Sequence, residues 1–305
     1  MYKFMQRKRI MFLMSLVFVV SMLNAAPDKN AGEYGLVFLK IPVSPEQAAM
    51  GNTGDMNHSS PLTLLHHPVS FNWERGASVA ASQTSWLVDT NMYNLAWRNV
   101  MFNQAFGLGL VYLDYGKIDK RTEDTTQIGT YYPMDLKATA NYVRKLNPVL
   151  HAGASVNLIY EKIDSSSALA FSTDLGIAYL TPLRNTSVDF AIKNLGSSTK
   201  MDKEKIDLPK QAELGMTTGF DLSEVMSIYP ALKLTYMDDH EDILPSVGVN
   251  IKVYEMLFLR AGYKFNYNEE DLSAGFGIHY KNFAIDYSFM NNLSNIHMFG
   301  IGWSF

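Results

Sequence analysis

The chain has 305 residues, with 26 Lys+Arg against 30 Asp+Glu, 47% hydrophobic residues and no cysteine. With 18% charged residues and a mean hydropathy of −0.06, it is too apolar for a disordered chain and too polar for a bundle of membrane helices. The acidic balance argues against nucleic acid as a partner. The absent cysteines exclude a disulfide framework, a thiolate metal site, a cysteine nucleophile and an acylated N-terminal cysteine.

Residues 1–25 have the form of an export signal. Lys3, Arg7, Lys8 and Arg9 make a positive start, Ile10 to Leu23 is apolar apart from Ser15 and Ser21, and Ala25 and Ala26 offer small residues for cleavage. The apolar run is short for a membrane helix, which needs roughly 20 residues. Removing residues 1–25 takes away four basic residues and no acidic one, leaving 22 Lys+Arg against 30 Asp+Glu, a net charge of −8. No later stretch holds 18 consecutive apolar residues, so no helical span is expected.

Residues 26–75 carry Pro27, Pro42, Pro45, Pro61 and Pro68 and show no clear period. Ser44 to Met50 fits a short helix, with Ser44 as N-cap, Pro45 at the first position and Gln47 in capping-box register. The region is expected to form a plug or a periplasmic collar. His58, His66 and His67 invite a metal reading, but adjacent histidines on an extended chain point to opposite sides. No metal or cofactor is expected.

Past residue 75 the period is two. Phe299, Ile301, Trp303 and Phe305 alternate with Met298, Gly300, Gly302 and Ser304; Phe283, Ile285, Tyr287 and Phe289 alternate with Ala284, Asp286 and Ser288. Successive strand side chains point to opposite faces, so each segment has one apolar and one small or polar face. Many segments run about 9–11 residues, as a tilted bilayer-crossing strand requires. Their apolar faces end in Tyr, Phe or Trp, as an interfacial girdle does, and the opposite faces carry charges that a sandwich core would not tolerate. The segments are 76–86, 91–99, 105–115, 132–143, 149–161, 168–180, 187–194, 210–220, 228–237, 245–254, 256–267, 271–280, 282–290 and 295–304. The expected fold class is all-β: a transmembrane antiparallel β-barrel of about 14 strands in residues 76–305, in the bacterial outer membrane. Long polar loops near 116–131, 195–209 and 237–244 alternate with short turns, which puts both termini in the periplasm. The turn near Asp221 to Val225 is longer than this scheme wants.

Arg98, Lys137, Lys193, Lys233, Lys252, Arg260 and Lys264 fall on the inward face, as do Glu161, Asp174, Asp189, Glu213 and Asp286. Two readings stand: a charge-lined solute path, or ion pairs that fill and brace a narrow lumen. Arg260 and Lys264 lie two side-chain steps apart on one strand and Asp286 two strands away, which permits a bridge. Asp238-Asp239-His240-Glu241-Asp242 lacks the fixed glycine turn of an EF-hand and reads as a solvated outer loop. Gly107-Leu-Gly109 and Gly275-Phe-Gly277 sit within strands, where they relieve crowding on the inner face. No Ser/His/Asp set stands out, and no catalytic residue is assigned.

The block Ala31-Gly32-Glu33-Tyr34-Gly35-Leu36-Val37-Phe38-Leu39-Lys40-Ile41-Pro42, followed by Ala48-Ala49-Met50-Gly51, resembles the N-terminal signature of the PorV/PorQ family of outer-membrane barrels. Within it Gly32, Phe38, Leu39, Lys40, Met50 and Gly51 carry the likeness. Ser85-Trp86, Phe106-Gly107-Leu108-Gly109, Asp174-Leu175-Gly176 and Asn194-Leu195-Gly196 resemble later signatures of the same family. One departure is clear: where the family has Asn before a proline, this chain has His67-Pro68. The resemblance implies a FadL-like architecture, no enzymatic activity, and a partner or cargo-binding barrel working with secreted or surface-attached proteins of a type IX system. A channel for hydrophobic molecules, with a hydrophobic ligand in the lumen, is the second reading, and a barrel enzyme the third. Outer-membrane lipid is the expected surround.

Overall fold

The computed structural model describes residues 35–69, 73–123, 125–183, 185–197, 199–201, 204–238, 242–265, 272–291 and 295–305. The export segment, Gly32 and residues 239–241 of the acidic loop lie outside them.

Among the described residues, fourteen antiparallel strands close into a barrel. They are β1 (Gly76–Ser85), β2 (Asn91–Met101), β3 (Gln104–Asp114), β4 (Met134–Lys145), β5 (Leu150–Ile163), β6 (Ser166–Leu180), β7 (Thr186–Gly196), β8 (Gln211–Thr218), β9 (Met226–Met237), β10 (Asp242–Val253), β11 (Leu257–Lys264), β12 (Leu272–Tyr280), β13 (Phe283–Asn291) and β14 (Asn295–Ser304). Each pairs with its neighbour in sequence, and β1 meets β14 from Ser78↔Ser304 to Ser85↔His297, so no sheet edge is left open. Closure matters in hydrocarbon, where an unpaired backbone group has no water to turn to. All fourteen expected segments match, with ends shifted by up to three residues.

The alternation holds side chain by side chain. On β2, Met92, Asn94, Ala96 and Arg98 are buried while Tyr93, Leu95 and Trp97 face out. On β14, Phe299, Ile301 and Trp303 face out, and Trp303 meets Phe283 of β13 edge to face at a centroid distance of 3.9 Å. These outward apolar residues are the surface a bilayer covers.

The loops differ from the expectation in three places. The segments near 116–131 and 195–209 carry short hairpins, Ile118–Arg121 with Gln127–Tyr131 and Thr199–Met201 with Glu204–Ile206. The long turn after β8 is a strand extension: Phe220–Asp221 pairs Phe220↔Ile228 and Asp221↔Ser227, leaving a tight turn beyond it. Short turns therefore lie at the end where β1 begins and β14 stops. In bacterial barrels that end faces the periplasm.

Residues 35–69 lie inside the barrel. They form a 3-10 turn at Val37–Lys40, a helical turn at Pro45–Ala48 and further 3-10 turns at Asp55–Asn57 and Pro61–Leu65. Pro45 takes the first helical position, as expected. The capping box does not form: the Ser44 hydroxyl caps nothing, and Gln47 Nε2 donates instead to Asp55 Oδ1 at 2.9 Å. Phe38, Leu39, Leu62, Leu64 and Leu65 pack on the inward Ala80, Met92, Ala96, Val111 and Met298.

An irregular segment can be buried only if its backbone groups are paired. The segment's own turns pair many of them, as Ala48 N with Ser44 O and His67 N with Thr63 O, and the wall pairs others. Ser82 Oγ donates to Val43 O (2.7 Å), Lys137 Nζ to Leu65 O (2.9 Å) and Asn141 Nδ2 to Pro68 O (2.9 Å), while Gly51 N donates to Ser273 Oγ (3.0 Å). The inward glycines admit the segment. A Cβ on Gly107 or Gly109 would meet Leu64 Cδ2 at 2.5 Å or Leu65 Cδ2 at 2.1 Å, and one on Gly262 would meet Gly51 N and Met50 C at 2.2 Å. The glycines thus make room for a specific partner rather than relieving crowding in general.

Candidate functional site

The inward charges assemble with residues of the inner segment into two buried clusters. The first joins three strands. Arg260 Nη1 of β11 donates to Asp286 Oδ1 of β13 at 2.6 Å, and Arg260 Nη2 lies 3.5 Å from Glu46 Oε1. The intervening strand β12 permits this because Arg260 stands opposite Gly275 and Asp286 opposite Gly277. His279 Nε2 lies 3.1 Å from Asp286 Oδ2 and 3.7 Å from Glu46 Oε1. Glu46 also accepts from Ser59 N, Ser59 Oγ and Ser60 N. Burial alone would raise the Glu46 carboxyl; the Arg260 guanidinium, with His58 and His279, overrides it and holds the group at about 2. Burial in turn pushes His58 below its ordinary value.

The second cluster spans β7, β8 and β9. Lys193 Nζ donates to Glu213 Oε1 at 2.7 Å, Lys233 pairs with Asp55 and lies 3.5 Å from Glu213 Oε2, and His67 Nε2 lies 3.2 Å from Asp189 Oδ2. His66 Nε2 sits 3.2 Å from Lys193 Nζ. Burial and the neighbouring Lys193 push His66 down to about 4, so it is neutral and accepts from the lysine. His67 goes the other way: burial lowers it, but Asp55 and Asp189 outweigh burial and raise it. Asp55 is held well below the carboxylate range, because Lys233 overrides the opposing effect of burial. Three carboxylates therefore face two ammonium groups, with the His67 ring beside Asp189 as the remaining basic group of the cluster.

The two histidines do not point to opposite sides. His66 follows a 3-10 turn with φ −113° and ψ −40°, not an extended chain, and both rings reach the adjacent strands β7 and β8. Among the described residues, two carboxylate–histidine triplets have ligand atoms within 4.8 Å of one another, Glu46/His279/Asp286 and Asp55/His67/Asp189. Each already faces a side-chain cation, Arg260 or Lys233, in the place where a metal's charge would act.

Of the five lumenal charges singled out from sequence, Arg260 and Asp286 are joined. Lys264 is buried one inward position further along β11 from Gly262. Asp174 accepts from Asn157 Nδ2 (2.8 Å) and from Asn194 N (2.7 Å), at the point where the β6–β7 register shifts. Glu161 stands opposite Asp135, which accepts from Tyr115 Oη at 2.7 Å. In the N-terminal block Phe38, Leu39 and Met50 are buried, and Gly51 takes a left-handed φ of +64° against the β11 backbone. Glu46 and Asp55 were not anticipated as partners. A signal for them existed: the inward charges named from sequence were seven cations against five carboxylates, so the wall was short of acid.

The closed sheet, the apolar exterior and the charge-bound lumen define a bacterial outer-membrane β-barrel. The chain belongs to the family of type IX secretion system membrane proteins PorP/SprF, whose sequence model matches residues 137–305. The block that resembles PorV/PorQ lies ahead of that region. Comparison with curated proteins finds no match. Among solved structures, the toluene transporter TbuX of Ralstonia pickettii superposes with a TM-score of 0.60 at 13% identity, over 86% of this chain and 98% of that one. The toluene transporter TodX of Pseudomonas putida gives 0.59 at 13% identity, over 86% and 98%. A FadL homologue of Pseudomonas aeruginosa gives 0.57 at 11%, over 87% and 99%. At these identities the likeness is one of fold.

Proposed function

We propose that this protein is a non-enzymatic partner barrel of a type IX secretion system, of the PorV/PorQ kind, binding secreted or surface-attached proteins while residues 26–75 act as a plug. In this reading residues 1–25 are the export signal, and Arg260, Lys264, Asp286, Asp174 and Glu161 serve to hold the lumen closed rather than to conduct. One observation carries it: the lumen is occupied by a segment bound to two separate stretches of the wall, β11–β13 and β7–β9, through two buried ionic clusters. Family membership supplies the secretion context. The test is deletion in a bacterium with a type IX system, followed by a census of surface-attached and secreted proteins. Loss of one or more, restored by the wild-type chain, supports the proposal. An unchanged census with lost uptake of a hydrophobic solute overturns it.

The second reading, a channel for hydrophobic solutes, draws on the fold shared with TbuX and TodX. Against it stands the chemistry of the lumen. Apolar solutes gain from apolar walls, whereas the buried inner face here carries Lys137, Lys193, Lys233, Arg260 and their carboxylates.

A further inference from the structure

We infer that the periplasmic end of the barrel holds a binding site for a ligand carboxylate, anchored by Arg98. A cavity of about 390 Å³ lies there, between Ser44–Glu46 and Ser59–Leu62 of the inner segment and the walls of β1, β2, β10 and β14. That volume is in the range of small-ligand sites.

Most of the charged groups that line it are engaged: Arg75 lies over the Phe102 ring, Lys281 over the Tyr280 ring, and Glu74 is partnered. Glu46 is saturated: Oε2 accepts two backbone amides, and Oε1 faces the Ser59 hydroxyl and Arg260. Asp286 is taken by Arg260 and His279. Lys252 at the mouth pairs with Glu255 at 2.8 Å. Arg98 is different. It is 7% exposed, it lines the cavity, and its one hydrogen bond runs from Nη2 to Ser59 O at 3.2 Å. Its Nε is buried without an acceptor; the Glu46 and Glu74 carboxylates act on it through space, but among the described residues neither forms an ion pair with it. Guanidinium carries five donors in a planar fork, so a single carbonyl leaves most of its capacity unused. A buried cation in that condition is costly, and an entering carboxylate would relieve the cost with paired, charge-assisted hydrogen bonds. Asn250 offers a second contact: its side chain lines the same cavity, and its Oδ1 is buried without a donor. Asn250 stands six strands round the wall from Arg98, so only a ligand long enough to cross the cavity, with a carboxylate at one end and an N–H further along, reaches both.

Two sources share this chemistry, the free C-terminus of a polypeptide and a small organic acid. The site is independent of the secretion reading, because either source would reach it from the periplasm. The test is calorimetry on the folded, detergent-solubilised full chain with three probes: a tripeptide with a free C-terminus, the same tripeptide amidated, and benzoate. The free acid should bind at least about tenfold more tightly than the amide. Arg98→Gln should remove that preference, and Asn250→Leu, on another strand, should weaken the tripeptide while leaving benzoate unchanged. Each variant's fold is checked by the heat-modifiable gel shift of the barrel. Benzoate binding as tightly as the peptide acid assigns the site to small acids; peptide binding alone assigns it to chain ends. Equal binding of acid and amide, unchanged binding by Arg98→Gln, or no binding of any probe overturns the inference.

Discussion

Arg260→Met tests whether ion pairing holds the inner segment in the lumen. The guanidinium faces Asp286 at 2.6 Å and Glu46 at 3.5 Å. At an effective dielectric of about 20 those separations correspond to attractions of about 6 and about 5 kcal/mol. Part of this is offset because methionine has no charge to desolvate, and breaking a buried pair from one side costs about 3–5 kcal/mol. Asp286 belongs to the wall, so of the two attractions only the one to Glu46 is lost when the segment leaves, and it is the stranding of Glu46 that weakens the contact between segment and wall. Opening of the segment should then become more frequent by about 10²- to 10⁴-fold. The chain has no cysteine, so Ala48→Cys provides a single reporter at a position 1% exposed. Maleimide labelling of that thiol should be slow in the otherwise native protein and fast with Arg260→Met. Adding Glu46→Gln, which neutralises one stranded carboxylate, should slow it again. Equal labelling rates in the presence of an intact barrel gel shift would refute the reasoning, since the segment would then be held by packing alone.

Other expectations follow from the same geometry. Gly277→Ala places a Cβ 2.2 Å from Asp286 Oδ1 and 2.8 Å from Arg260 Nη1, so it should raise Ala48→Cys labelling much as Arg260→Met does. Gly262→Ala drives a Cβ against Gly51 N and Met50 C, backbone atoms that cannot swing aside, and should raise labelling without altering either ion pair's residues. Glu46 is depressed from 4.5 to about 2, so its contribution is complete above pH 4.5 and is lost as pH falls toward 2; pepsin cleavage within 35–69 should rise over that window and not in Glu46→Gln. His67 is raised above 6.5, so its contribution is complete below pH 6.5 and is lost as pH climbs through the higher folded value. Labelling corrected for thiol ionisation should therefore rise in alkali in the native protein, and His67→Gln should abolish that pH dependence.

The barrel was legible because one constraint, lipid outside and polar lumen inside, acts on every second residue. That period gave all fourteen strands and placed Arg260, Asp174 and Asp286 on the correct face. The inner segment has no such repeat. Its conformation is set by contacts with walls more than a hundred residues away, such as Gly51 with Ser273 and His66 with Lys193. Local rules mislead there: they place Gln47 in a capping box, yet its amide finds Asp55, because a buried carboxylate next to Lys233 attracts a donor more strongly than a frayed helical turn does. From sequence the glycines of β12 relieve crowding on the inner face, but only the three-dimensional register reveals that Gly277 opens the passage through which Arg260 crosses to Asp286.

The glycine-lined imprint on the wall has a consequence for assembly. Wall and segment match at backbone contact distance at Gly248 and Gly262, on neighbouring strands, and at Gly153 on a distant one. The seam between β1 and β14 joins the two ends of the strand sequence. A segment gripped by separate stretches of wall is most simply installed before that seam closes, with the growing sheet curling about it as about a mandrel. The N-terminal stretch would then be a template for the barrel's bore as well as its stopper, and the last strand the latch that encloses it.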